Sequence, residues 1–256
     1  MEDKIRKWEE FIYGCLSPES IKYRKLMAQS DPEEAPYTSR YAAAGIQDSL
    51  IKSALTFSED AEHMQIEIND RAVSFHTIVG RLLIRKGLAL IETDLLSEAE
   101  KAFREGLISL DAGQPCQDMC FQMAALNNIG ILYCNRQDFD EALKHLSEVE
   151  KIYQNVSPSN LLVTQGLNRV EDQSEHEAEV WFEELFTLAL FYLAQVYQKK
   201  QDENRAANYC AMTLSRQLRF GTPSPNWKVQ KSSRPKMSAA LRCCTHRCVL
   251  LIHPQY

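Results

Sequence analysis

A repeated spacing of small residues is the feature that most restricts how this sequence can fold. Gly130 and Ala142 lie twelve residues apart, in a segment where apolar residues recur at steps of three and four. Such steps place side chains on one face of a helix. Asp138 precedes Glu141 at the spacing of a capping box, which begins a new helix. Residues 125–153 are therefore predicted to form two antiparallel helices that approach closely at the two small residues.

The same spacing occurs twice more, at Gly87 with Ala99 and at Ala194 with Ala206. Larger residues keep equal offsets from the small residues of these hairpins. They are Leu83, Leu126 and Leu190, then Tyr133 and Tyr197, and then Phe103, Leu146 and Cys210. This pattern is typical of the tetratricopeptide (TPR) repeat, although the small residues recur after 43 and 64 residues instead of 34. The sequence thus predicts an all-α fold, a TPR-like α-solenoid of antiparallel helical hairpins.

The chain divides by composition into a long helical part and a short tail. Helical periodicity predicts further helices over residues 2–29, 37–56, 70–91 and 96–111. We predict that the solenoid spans residues 1–220, with acidic loops at about 57–70 and 155–180. No Asp or Glu follows Glu203, and residues 221–256 combine four Pro with six Lys or Arg and lack a helical period. We expect this basic, Cys-rich tail to be irregular, and either disordered or a non-native product of splicing or a shifted reading frame.

Composition narrows the classes of function. With 45% apolar and 25% charged residues, the 256-residue chain can bury a sizeable core. A net charge of −6 does not favour nucleic-acid binding. The N-terminus lacks the apolar run of a secretory signal. The longest charge-free apolar helical run, 185–198, is shorter than the roughly 20 residues that cross a bilayer. We expect a cytoplasmic protein without membrane insertion.

The sequence carries no motif of catalysis or nucleotide binding. It contains neither a GxxxxGK[ST] phosphate loop nor GxGxxG nor HExxH. We therefore predict that the chain is not an enzyme and has neither a cofactor nor a small-molecule substrate. The scattered cysteines are interpreted as small, buried thiols. They are Cys15, Cys116, Cys120, Cys134 and Cys210.

A cluster of thiols and one imidazole in the tail is the only candidate metal site that the sequence offers. Cys243, Cys244, His246 and Cys248 are of the residue types that bind zinc. A zinc finger needs a second ligand pair at a fixed spacing, and the tail has none. We therefore predict that the chain holds no metal.

Three blocks of the sequence resemble the kinesin-binding protein (KIF-binding protein) family. They are APYTSRYAAAGIQDSL (35–50), LNNIGILYCNRQDFDEALKHL (126–146) and FYLAQVYQKKQDENRAANYCAMTLSRQL (191–218). The resemblance covers about residues 20–227 and matches the N-terminal half of the family protein only. It implies a solenoid of TPR-like pairs that binds the motor domains of some kinesins and blocks their attachment to microtubules. A cytoskeleton-associated location follows from the same resemblance.

The first helix of a TPR hairpin lines the concave surface, and this predicts which residues would meet a partner. Counting from the small residues gives Arg85, Asn127, Asn128, Tyr192, Gln195, Gln198 and Lys199, and Gln217 is a further candidate. Polar and aromatic side chains of this kind suit a partner helix. Two simpler interpretations stay open, namely packing between repeats for Tyr192 and mere exposure for Gln195 and Gln198.

A general TPR adaptor or co-chaperone that binds peptide tails is the alternative function. Adaptors that clamp a C-terminal carboxylate use basic and Asn side chains repeated along the groove. Asn127 is of the right type, but Ile131 occupies the next position where a polar residue is expected. The sequence therefore favours the kinesin motor domain over a peptide tail as the partner.

Overall fold

The computed structural model describes residues 2–67, 72–112, 118–155 and 175–220. The chain divides into two compact units, Met1–Ala125 with Val156–Trp181 and Leu126–Asn155 with Phe182–Tyr256. The predicted tail lies outside the described residues, as does most of the predicted acidic loop at 155–180. The last residues of that loop are helical, because a helix begins at Glu175.

The first unit consists of helices and one small β-hairpin. Its helical segments are α1 (Glu2–Glu10), a π-helix (Phe11–Leu16), α2 (Ser17–Ala28), α3 (Thr38–Leu55), α4 (Phe75–Leu90), α5 (Leu96–Ala112) and the first residues of α6 (Met119–Asn135). The helix predicted over 2–29 is present, and its middle turn is widened into the π-helix. Pro18 lies in the first turn of α2, where a missing N–H leaves no hydrogen bond unmade.

The predicted loop at 57–70 contains regular structure instead. A short 3-10 helix (Ser58–Asp60) is followed by strand β1 (Gln65–Glu67). This strand pairs antiparallel with β2 (Ala72–Ser74), with Ile66 opposite Val73. The prediction was wrong here because a three-residue strand is too short to produce a recognisable alternation of apolar and polar residues.

The helix predicted to begin near residue 70 begins at Phe75. Ser74 is its N-cap, since the Ser74 Oγ accepts the amide of Thr77 at 3.2 Å. Such a cap satisfies one of the free amides of a first helical turn. The residues before the cap are consequently left free to pair as a strand.

The core of the first unit joins its N-terminal segment to α3, α4 and the β-hairpin. Trp8 is fully buried, stacks on Phe11 at 5.4 Å between ring centroids, and meets Phe57 edge-on at 5.2 Å. The buried members of this core are Trp8, Phe11, Ile12, Leu16, Leu50, Ala54, Met64, Val73, Phe75, Ile78, Val79 and Leu82. Met64 and Val73 thus anchor the β-hairpin to the helices.

The second unit consists of α6 from Leu126 onward, α7 (Phe139–Asn155), α8 (Glu175–Lys199) from Phe182 onward, and α9 (Glu203–Phe220). One core cluster brings Ala142 and Leu146 of α7 together with Leu193 and Val196 of α8. These residues are fully buried. The predicted all-α fold of TPR-like hairpins is confirmed, with the two-stranded sheet as an addition.

The helices of the first complete hairpin run antiparallel and touch along their length. A Cβ built on Gly80 would lie 2.8 Å from Leu110, and one built on Gly106 would lie 2.6 Å from Ile84. Residues further along α4 therefore contact residues earlier in α5, as expected for antiparallel helices. Each glycine lets a large side chain of the facing helix enter the space that a methyl group would fill.

The predicted close approach at the small residues is confirmed. A Cβ at Gly87 would lie 2.6 Å from the Phe103 ring, and one at Gly130 would lie 2.7 Å from Cγ of Leu146. Ala142 lies opposite Gly130 as well, since its carbonyl oxygen would be 3.5 Å from the same Cβ. The main partner of each glycine is thus the large residue sixteen positions later.

The third hairpin makes the same contact with a different pair of residues. Ala194 stands in place of the glycine and Cys210 in place of the large residue, and both are fully buried in one cluster. The extra methyl group in the first helix is matched by a smaller side chain in the second. The pair therefore preserves the close packing that Gly87 and Gly130 provide in the other hairpins.

Two of the hairpins have the same turn. Between α6 and α7, Gln137 has a left-handed backbone with φ 64° and donates its amide to the carbonyl of Cys134 at 3.1 Å. Asp138 donates its own amide to the carbonyl of Tyr133 at 3.0 Å. These two bonds form a Schellman motif, which satisfies the last carbonyls of a helix. Gln201 between α8 and α9 has φ 63° and makes the equivalent bond to Gln198.

The aspartate of this turn also begins the next helix. Asp138 Oδ1 accepts the amide of Glu141 at 3.3 Å, so half of the predicted capping box is present. The other half is absent, because the Asp138 amide is engaged by Tyr133. The Glu141 carboxylate lies instead near Lys144 and His145, at 3.6 and 3.7 Å.

Replacing a turn glutamine by glycine is expected to stabilise the second unit. Side chains disfavour the left-handed region by roughly 1–2 kcal/mol, and the greater freedom of glycine in the unfolded chain offsets part of that gain. We expect Gln137→Gly to raise the free energy of unfolding by about 0.5–1 kcal/mol in urea denaturation followed by circular dichroism. The control Gln137→Ala keeps the strain. A glycine variant no more stable than this control would contradict the account.

Two glycine-to-alanine changes in the first unit are expected to have opposite signs. Gly87→Ala forces a methyl group against the buried Phe103 ring, and overpacking of this kind costs about 1–3 kcal/mol. Gly45→Ala places its methyl group in open space on α3 and should add about 0.5–1 kcal/mol. Thermal unfolding of both variants measures the difference. If both variants shifted the melting temperature equally and in the same direction, the packing of Phe103 against Gly87 would not be as tight as described.

Candidate partner-binding surface

Four of the predicted site residues share one face of α8. Tyr192, Gln195, Gln198 and Lys199 recur at steps of three and four in a regular helix. Gln198 and Lys199 are exposed, whereas Tyr192 and Gln195 are half-buried. The structure thus brings these four side chains together, and they are called the α8 row below.

Tyr192 belongs partly to the core. Its ring meets Phe191 edge-on at 5.3 Å, and it packs against the cluster that contains Ala194 and Cys210. Packing holds the ring in place while part of it remains exposed. The residue therefore combines the rigidity of a core side chain with an accessible aromatic surface.

Gln195 carries a buried amide that is not satisfied. Its Nε2 atom is shielded from solvent and has no hydrogen-bond partner among the described residues. Leaving a buried donor unpaired costs about 1–3 kcal/mol. The unpaired donor therefore lies inside the unit, beneath the accessible part of the row.

Arg85 is not on an open surface, which corrects the sequence-based placement. The residue is 5% exposed, and its guanidinium donates to Ser20 Oγ at 3.2 Å and lies 5.5 Å from the centre of the Phe121 ring. Its carbonyl accepts the hydroxyl of Tyr23 at 2.9 Å. Side chains of α2 and α6 cover this position, so Arg85 has a structural role within the first unit.

Asn127 is buried as well. It is 0% exposed, and its Nδ2 donates to the carbonyl of Leu185 at 2.8 Å. This bond fastens α6 to α8 inside the second unit, which is a second correction to the predicted surface. The neighbouring Asn128 is half-buried and stays a candidate.

Gln217 is half-buried on α9 and lies away from the exposed end of the α8 row. Its neighbour Arg216 contacts Glu183, near the beginning of the part of α8 in this unit. Glu183 and Gln198 are fifteen residues apart, which is roughly 20 Å along a helix. Gln217 therefore flanks the opposite end of α8.

A polar and aromatic cluster that the sequence did not reveal ties three helices together. Arg216 of α9 forms an ion pair with Glu183 and donates to the Tyr153 hydroxyl at 2.9 Å and to Thr187 Oγ1 at 3.4 Å. The same guanidinium lies 4.7 Å from the centre of the Phe186 ring. Because these partners lie on α7 and α8, the cluster fixes the helix that carries the α8 row. Residues so distant in sequence give no local pattern.

Two of the described thiols, Cys120 and Cys134, are not suited to nucleophilic chemistry, whereas Cys15 is exposed and not buried as predicted. Burial raises the pKa of Cys134 to about 11 and that of Cys120 to about 12. A catalytic cysteine needs the opposite shift, toward the thiolate. Across the described parts of the chain, His, Cys, Asp and Glu side chains form no group of three that could hold a metal ion. The tail cluster around His246 lies outside those parts.

These features define an all-α protein of consecutive helical hairpins, one helix of which carries a partly exposed polar and aromatic face. Comparison with known proteins identifies the family. The KIF-binding protein of Mus musculus is 34% identical over 242 residues, which cover 84% of this chain and 38% of the relative. The KIF-binding proteins of Gallus gallus and Homo sapiens are each 28% identical over 84% of this chain, and the matches cover 36% and 39% of those relatives. The chain belongs to the KIF-binding protein family.

The chain spans less than two fifths of the length of these curated relatives. No family model matches it, and no solved structure matches it significantly. Among the described helices, none combines the length and the apolar character that crossing a membrane requires.

Cys134 occupies the position in α6 that Gln198 occupies in α8. Because burial raises its pKa, the rate at which it is alkylated reports how well this position is buried. Only the thiolate reacts with iodoacetamide. We expect alkylation of Cys134 to be slow at neutral pH and to accelerate about tenfold per pH unit up to about pH 10. Peptide mapping by mass spectrometry measures the rate, with the exposed Cys15 as the internal control. A rate that levels off near pH 8.5 would contradict the shifted pKa.

Proposed function

We propose that this chain is a non-catalytic protein that binds kinesin motor domains. The observation that carries the proposal is the match to KIF-binding proteins over 84% of the chain. Their name states what those relatives bind, and the chain corresponds to 36–39% of them. We further propose that the bound motor is kept from attaching to microtubules, and that the protein acts in the cytoplasm, in association with the cytoskeleton.

The α8 row is the proposed contact surface for the motor, and Asn128 and Gln217 are further candidates outside the row. Tyr192 offers a ring that packing already holds in place, so little conformational entropy is lost on binding. Gln195 is half-buried and presents the accessible part of its side chain beside that ring. Gln198 and Lys199 add exposed polar groups that can pair with an acidic or carbonyl-rich helix.

Arg85 and Asn127 do not belong to the proposed contact surface. Each is buried and engaged in hydrogen bonds within its own unit. Substituting either residue would change folding stability, and any effect on binding would follow from that. Neither is therefore a suitable site for testing direct contact.

The adaptor alternative is less favoured because of Asn127. A clamp for a terminal carboxylate needs free amide and basic groups in the groove, and the amide of Asn127 is committed to the carbonyl of Leu185. The apolar Ile131 follows where the next polar group is needed. Titrating the full chain with a kinesin motor domain and, separately, with a chaperone-tail peptide distinguishes the two functions. Binding of the peptide but not of the motor would refute the proposal.

Removing the exposed end of the α8 row is expected to weaken motor binding without affecting folding. We expect the double variant Gln198→Ala, Lys199→Ala to raise the Kd about tenfold, because both side chains are exposed and available to a partner. Isothermal titration calorimetry measures the Kd, and circular dichroism checks the helical content. The matched control is Lys144→Ala, Lys151→Ala on the exposed face of α7.

The pair Tyr192→Ala, Gln195→Ala tests the buried half of the row and should weaken binding further. Loss of helical content in this variant would mean that Tyr192 serves packing only. If the motor bound the unaltered chain and all variants equally, the contact surface would not be the α8 row. Absence of binding by the unaltered chain would refute the function itself.

A further inference from the structure

An exposed aromatic patch on the first unit is independent of the α8 row. Tyr37, Tyr41 and Leu95 are 40%, 39% and 36% exposed. The two tyrosine rings meet edge to face at 6.3 Å, and the Tyr41 hydroxyl is hydrogen-bonded to the carboxylate of Asp94. This bond brings the turn between α4 and α5 beside the start of α3. These four residues are called the Tyr37 patch.

The backbone at Tyr37 is strained in a way that core packing does not require. Its φ is 68° and its ψ is 5°, in the left-handed region that bulky residues rarely adopt. Two side-chain hydrogen bonds lie in the surrounding turn. The carboxylate of Asp31 accepts the amide of Ser39 at 3.0 Å, and Thr38 Oγ1 donates to the carbonyl of Ala35 at 2.9 Å. Strain of this kind collects at binding sites, and here it presents a ring to solvent.

The surroundings of the patch are strongly acidic. The segments that form it, residues 30–41 and 91–96, contain five carboxylates, namely Asp31, Glu33, Glu34, Glu92 and Asp94. Their single basic residue, Arg40, is 5% exposed. It donates to Glu92 at 2.8 Å and to the carbonyl of Leu26 at 2.9 Å, inside the protein. The two segments together therefore carry a net charge of −4, which favours a cationic partner over an anionic one.

We propose that the Tyr37 patch is a docking surface for an extended, lysine- or arginine-bearing segment of another protein. Cations are attracted to the faces of tyrosine rings, and the alkyl stems of lysine and arginine can pack on Leu95. Asp94 supplies the matching charge at the edge of the rings. The hydrogen bond from the Tyr41 hydroxyl holds this carboxylate beside the ring and raises the pKa of Tyr41. Nucleic acid would be repelled by the same carboxylates.

Fluorescence polarisation with the full chain tests this proposal. The probe is a fluorescein-labelled peptide of alternating lysine and proline, compared with versions in which glutamine or glutamate replaces every lysine. We expect the lysine peptide to bind, with an affinity that falls as salt is added. The glutamine peptide should bind at least about tenfold more weakly, and the glutamate peptide more weakly still. Equal binding of the lysine and glutamine peptides would overturn the proposal.

Tyr37→Gly separates binding from folding. Glycine relieves the left-handed strain, so the variant should be at least as stable as the unaltered chain. It removes one ring, so the Kd for the lysine peptide should rise at least about threefold. Asp94→Asn should weaken binding in the same direction.

The matched control is Tyr13→Ala, which removes another exposed tyrosine of the first unit, 56% exposed on the π-helix. The proposed site would be overturned if Tyr37→Gly left the binding of the lysine peptide unchanged. It would also be overturned if Tyr13→Ala weakened that binding as much as Tyr37→Gly does. Size-exclusion chromatography with light scattering tests a second copy as the occupant. A dimer that Tyr37→Gly abolishes would likewise overturn the proposal, since the patch would then bind its own chain.

Discussion

The fold depends on helices that come close enough for a side chain of one to rest on the backbone of the other. Phe103 fills the space beside Gly87, and Leu146 fills the space beside Gly130. Without that approach the flanking apolar faces would stay partly exposed to solvent. Each large apolar side chain stabilises the folded state by roughly 1.5–3 kcal/mol only when it is fully buried. In the third hairpin, Ala194 and Cys210 lie in the same buried cluster at the equivalent positions.

The sequence was most informative where structure is local and repeated. The spacing of small residues correctly predicted three hairpins, and the helix expected at 96–111 is observed at Leu96–Ala112. The Asp138 turn was recognised from its residues as well. The β-hairpin of Gln65–Glu67 and Ala72–Ser74 was missed, because strands of three residues carry almost no periodic signal and depend on core contacts for their stability.

The candidate site was predictable only in part, and the reason is distance along the chain. Periodicity identifies the face of a helix but not what covers that face. Arg85 is covered by Ser20 and Tyr23, more than sixty residues earlier, and Asn127 bonds to Leu185, 58 residues later. Long-range partners of this kind turn apparent surface positions into internal ones. The exposed end of the α8 row has no such cover, so its placement from sequence and its exposure in the structure agree.

One feature of the turns bears on how such a chain can change its length during evolution. Asp138 closes one helix through its backbone and opens the next through its side chain, and Asp202 does the same between α8 and α9. An inserted residue would separate these two tasks, so the turns within hairpins should tolerate few insertions. The spacing of small residues agrees with this, since it stays at twelve within hairpins but varies from 43 to 64 between them. Insertions and deletions are thus expected in the connections between hairpins. There the length can vary while each small residue stays opposite its large partner sixteen positions later.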